Sequence, residues 1–100
     1  MFEAEVQAGI ALLDKKAPLY WRTRLDQETF DITSATNCIL GQVYKRAGEL
    51  QGITGYSYGV DQLGCMYPQD FGFMLARDRD YEEWATLQDA WIAALWPESE

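Results

Sequence analysis

Residues 80–97 read DYEEWATLQDAWIAALWP. Tyr81, Trp84, Leu87, Gln88, Trp91, Ile92 and Leu95 recur three and four apart, the spacing of one helix face, and predict a helix over residues 81–96. Asp80 with Glu83 three residues on has the form of a capping box with Asp in place of Ser or Thr. Pro97 ends the helix, and residues 97–100 read as a frayed acidic tail. Trp84, Leu87 and Trp91 on this stripe are expected in the core, because an aromatic stripe at helical spacing is there to be buried. Trp96 lies beyond the stripe and reads as an exposed contact.

The N-terminal end carries a second amphipathic pattern. Val6, Gly9, Ile10, Leu13 and Ala17 predict a helix over residues 3–16, with Glu3 and Glu5 at its start and Lys15 and Lys16 at its end, as the helix dipole favours. Pro18 stops it. Tyr20, Trp21 and Leu25 could line a short helical turn, and Phe30 and Ile32 alternate with polar neighbours in a stretch too brief for a strand. Thr33 and Ser34 are capping residues and predict a helix over residues 35–47, with Cys38, Ile39, Gln42, Val43 and Arg46 on one stripe. Gly41 inside it marks the close approach of another backbone or a large ring, Trp21 or Trp91 being natural guests, and Gly48 is placed to cap the end.

Residues 49–74 are rich in glycine. Residues 55–59, GYSYG, read as an aromatic loop, residues 60–63 as one helical turn ended by Gly64, and Tyr67-Pro68 as the opening of a short element reaching about Leu75. The expected fold is mainly α: one small helical domain over residues 1–100, two longer terminal helices packing on a central helix and an irregular Gly/aromatic segment. Trp21, Cys38, Leu40 and Gly41 join Trp84, Leu87 and Trp91 as its packing residues.

The 100 residues are 48% hydrophobic, enough for one core. Eight Lys and Arg against 16 Asp and Glu give a net charge of −8, with no His. The missing His removes His general bases, Ser-His-Asp triads and His-ligated metals, and the acidic balance argues against direct nucleic-acid binding or an anionic membrane. Cys38 and Cys65 stand in no metal or redox spacing and read as reduced, buried thiols of a cytoplasmic protein. The N-terminal residues lack the basic start of a secretory signal, and no apolar run is long enough to span a membrane.

The carboxylates cluster at Asp26, Glu28 and Asp31 and again at Asp78, Asp80, Glu82 and Glu83. Neither cluster lies in the apolar setting that catalysis requires, and residues 78–82 depart from a calcium loop for want of a Gly. With no nucleotide-binding or nucleophile motif, no catalytic residue, metal or cofactor is assigned; a small carboxylate-dependent enzyme is the last of the alternatives. Tyr56 and Tyr58 in the Gly-flanked segment, with Tyr67, Trp96, Asp61 and Asp70, are the candidate partner-binding residues, because exposed aromatics beside acids suit protein recognition.

Residues 37–44, NCILGQVY, resemble a motif of small uncharacterised proteins from actinobacteria and their phages. The likeness extends to Ala11-Leu-Leu-Asp14, to Trp21–Asp26, to Phe30-Asp-Ile32, to Gly72-Phe73 and to Leu87 with Trp91, but not to residues 50–67. The resemblance implies a phage or prophage setting, expression in the host cytosol and an accessory role, and no activity. Together with the residues it leads to an expected non-catalytic protein that binds and modulates or inhibits a host protein. The alternatives are an acidic mimic of nucleic acid that blocks a DNA- or RNA-binding defence protein, and a homo-oligomeric structural or assembly component.

Overall fold

The computed structural model describes residues 2–76 and 78–97, so all but Pro97 of the tail expected at residues 97–100 lies outside it. The chain is mainly helical, and among the described residues there is no strand. Among the described residues five α-helices run in order: α1 (Glu3–Lys16), α2 (Ile39–Val43), α3 (Lys45–Leu50), α4 (Gly55–Leu63) and α5 (Tyr81–Leu95). Two 3-10 turns, Trp21–Arg24 and Pro68–Phe71, connect them. No described helix is long and apolar enough to cross a membrane.

The terminal helices form as their spacing predicts. Val6, Gly9 and Leu13 are the buried stripe of α1. Leu87 and Trp91 are the buried stripe of α5, whose first turn is capped by Asp80 accepting from the Glu83 amide at 2.9 Å. Gly41 meets another backbone, the first of its two expected neighbours, since a Cβ there would lie 2.6 Å from the Ala35 carbonyl oxygen; the large ring enters instead beside Gly9, where a Cβ would lie 3.0 Å from Trp91 Cη2 and would collide with the Phe71 carbonyl. Trp91 Nε1 donates to the Gly72 carbonyl at 2.6 Å, and Phe73 stacks on its ring at 5.9 Å. Trp21 is buried, its Nε1 donating to Asp14 Oδ1 at 3.0 Å.

The central helix differs from its expected span of residues 35–47. Ser34 Oγ accepts from the Thr36 and Asn37 amides, which closes a turn instead of starting a helix. The Ala35 carbonyl accepts from the Tyr56 amide at 3.1 Å, so it serves the start of α4 and not a helical partner of its own. The helix begins only at Ile39, with Cys38 Sγ accepting from the Gly41 amide at 3.3 Å, and it breaks at Tyr44 before α3. Gly48 is buried within α3 rather than capping it, and Gly52, at φ 74°, reverses the chain.

Residues 55–59 are helical, not a loop. Thr54 Oγ1 caps α4 by accepting from the Ser57 amide at 3.1 Å, and Gly64, at φ 66°, ends it as expected. The two glycines are what let α4 pack: a Cβ on Gly55 would collide with the Gly41 carbonyl, and one on Gly59 would lie 2.7 Å from Tyr44 Cδ2. Tertiary contact thus overrides the poor helix propensity of Gly. α4 packs closely on α2 and α3, while α1 lies along the Pro68–Phe71 turn and meets α5.

Residues 26–37 have no regular structure yet bury Phe30 and Ile32. Two glutamines hold them. Gln42 accepts from the Asp26 amide through Oε1 and donates to the Asn37 carbonyl at 2.9 Å through Nε2. Gln88 accepts from the Ile32 amide at 2.9 Å and donates to the Phe30 carbonyl at 3.4 Å.

Candidate functional site: an acidic hollow with aromatic walls

The glutamine-held segment and α5 enclose a hollow of about 480 Å³. Glu28 and Asp31 line it from the segment; Tyr81, Trp84 and Asp89 line it from α5. Tyr81, Trp84 and Ala85 lie within four residues on α5, so their side chains share a face, and Asp89 follows Ala85 by one turn. Asp31 Oδ1 accepts from the Thr33 amide at 3.0 Å and from the Thr33 hydroxyl at 2.6 Å, which fixes this carboxylate at the rim. Among the described residues, Glu28 and Asp89 pair with no cation.

A smaller apolar crevice of about 160 Å³ adjoins the hollow, sharing Ile32, Thr33 and Trp84 with it. Cys38, Tyr56, Phe73 and Met74 also line it, with Ser34 and Ala35. The Tyr56 hydroxyl donates to Met74 Sδ at 3.0 Å. Burial pushes the Tyr56 phenol up to about 12 and the Cys38 thiol up to about 11. Burial likewise raises the Tyr44 phenol and the Cys65 thiol. Cys38 is therefore a protonated packing and capping group at neutral pH. Among the described residues no cluster of His, Cys, Asp and Glu could hold a metal ion.

The expected partner-binding residues are dispersed. Tyr56 is half-buried in the apolar crevice, whereas Tyr58 is half-buried against Tyr44, with ring centroids 5.8 Å apart. Residues two apart on a helix cannot share a face, so the helical state of residues 55–59 separates the two rings. Trp96 is not an exposed contact: it is half-buried and packs on Phe30 at 5.9 Å. Asp61, Tyr67 and Asp70 are exposed, but none of them lines the hollow. Among the packing residues, Trp21, Cys38, Leu40, Gly41, Leu87 and Trp91 are buried as expected. Trp84 is half-buried and forms a wall of the hollow, and Tyr81, expected on the buried stripe, is 82% exposed.

The signal for the hollow lies in the C-terminal stripe itself. A polar Gln88 among its apolar positions marks where that face leaves the core and meets backbone. What periodicity could not supply is the partner of that face, because residues 26–37 reach it through turns with no repeating pattern.

No protein family, no curated protein and no solved structure matches the chain.

Proposed function

We propose that the chain is a non-catalytic accessory protein, of the phage type that its sequence resembles. On this reading it acts in the cytosol by binding and modulating or inhibiting a host protein, and the host protein presents a Lys or Arg side chain to the acidic hollow. The observation that supports it most is the pairing of two unmatched carboxylates, Glu28 and Asp89, with the Trp84 and Tyr81 rings around one opening. Carboxylates steer a basic partner into register. A cation over an aromatic face adds roughly 0.5–2 kcal/mol, the larger value when water is excluded. The adjoining apolar crevice could take an aliphatic stem or neighbouring side chain.

The test is affinity capture from host lysate with the wild-type chain and an E28K/D89K variant. A single stoichiometric partner held by the wild type and lost by the variant is the expected outcome. A partner retained equally by the variant would remove the hollow from the binding surface. A partner displaced by added DNA would move the reading to nucleic-acid mimicry.

A further inference from the structure

The opposite chemistry is gathered elsewhere on the molecule. Of the eight Lys and Arg, six fall between residues 15 and 46: Lys15, Lys16, Arg22, Arg24, Lys45 and Arg46. Two adjoining hollows, of about 400 and 760 Å³, meet at Arg24 and Ala47 to form one groove. Lys16 and Arg24 edge its first part; Arg24, Lys45 and Arg46 edge its second. Glu49 is the only carboxylate among the residues that line it.

Two of these cations are positioned by backbone. Arg24 Nη1 donates to the Val43 carbonyl at 3.0 Å, and Lys16 Nζ donates to the Leu63 carbonyl at 3.4 Å. Neither contact neutralises the charge. Among the described residues, Lys45 and Arg46 pair with no carboxylate. Between the cations lie apolar groups, Ala47 and Leu50 in one part and Ala17 and Pro18 in the other, beside the polar Gln42 and Gln62. Leu50 is 77% exposed at the groove edge.

We propose that this groove docks an acidic amphipathic segment of a partner protein, Leu-like side chains on Ala47 and Leu50 and carboxylates on Arg24, Lys45 and Arg46. Charge complementarity selects the sign, since the groove is cationic on a chain of net charge −8. The apolar groups select a peptide over nucleic acid, because a phosphate backbone gains nothing from Ala47 and Leu50, and the remaining carboxylates repel it. This site is separate from the acidic hollow, and its test does not depend on the outcome there.

The probe is a fluorescein-labelled peptide of about fifteen residues, with Leu on one helical face and Glu on the other, read by fluorescence anisotropy. Binding to the wild type is expected, weakening steeply as salt is raised. K45E/R46E should weaken it by about tenfold or more, and Leu50→Asn by a smaller factor. Both variants change exposed side chains, and circular dichroism is the control for their folding. The same peptide with Ser for Leu should bind measurably less. No binding to the wild type, equal binding to K45E/R46E, equal binding of the Ser peptide, or tighter binding of single-stranded DNA would each overturn the assignment.

Discussion

The acidic hollow and the basic groove are built on different principles. One wall of the hollow is irregular backbone, residues 28–33, held in place by Gln88 from α5 and, further along, by Gln42 from α2. The walls of the groove are helix surfaces, and its position follows from the glycine contact of α2 with α4. Hydrogen bonds from two side chains therefore shape one surface, and close backbone packing shapes the other. The comparison also separates local charge from net charge. A chain with twice as many acids as bases still offers a cationic surface, because its bases are concentrated along one stretch.

The largest expected effect comes from removing the packing that supports the groove. Gly55→Ala places a Cβ against the Gly41 carbonyl, a backbone atom that cannot rotate away. Overpacking of this kind should destabilise the fold by about 3 kcal/mol or more in urea denaturation. A loss under about 1 kcal/mol would mean that α2 and α4 can separate without consequence.

The next effect is on the crevice side and depends on pH. The Cys38 thiol is raised from 9.0 to about 11 by burial, so the folded state keeps its proton where the unfolded chain has lost it. Its contribution to stability is therefore complete below about pH 9 and is lost as pH rises to about 11. Denaturation at pH 10.5 against pH 7.5 should show a fall of about 2 kcal/mol from this group. Cys38→Ala should remove the largest single part of the fall between those two pH values, with Cys65, Tyr44 and Tyr56, all raised by burial, contributing in the same direction.

Gln88→Ala acts on the hollow alone. It strips the buried Ile32 amide of its acceptor and should lower stability by about 1–3 kcal/mol. Hydrogen exchange should then speed at Ile32 and leave the α2 and α4 amides protected. Uniform loss of protection would show that the two regions are one cooperative unit. The smallest stability effect belongs to E28K/D89K, whose exposed side chains should change stability by no more than about 0.5 kcal/mol while abolishing partner capture.

The helical class, the terminal helices and the Asp80 cap were legible because each depends on neighbours along the chain. Trp91 and Leu87 on a 3.6-residue period have few alternatives to burial. Residues 55–59 were not legible, since two glycines in five residues signal a loop locally and a close helix contact only when Gly41 and Tyr44 are known to face them. The same error placed Tyr56 and Tyr58 on one surface. Trp96 looked exposed because its partner, Phe30, is far away in the chain. The acids of the hollow were visible as a cluster at residues 26–31, but Asp89 and Trp84 join them only through the fold. The groove was hidden by averaging, because net charge reports no position.

The most direct test is a pair of titrations of the ¹⁵N-labelled wild-type chain followed by NMR. One uses a basic peptide with Lys and Arg flanking Leu, the other the Glu/Leu peptide described above. The basic peptide should shift amides of residues 28–37 and 81–89, and the acidic peptide those of Arg24 and residues 42–50. Both peptides shifting the same residues, or neither producing localised shifts, would contradict the division of the molecule into two binding surfaces of opposite charge.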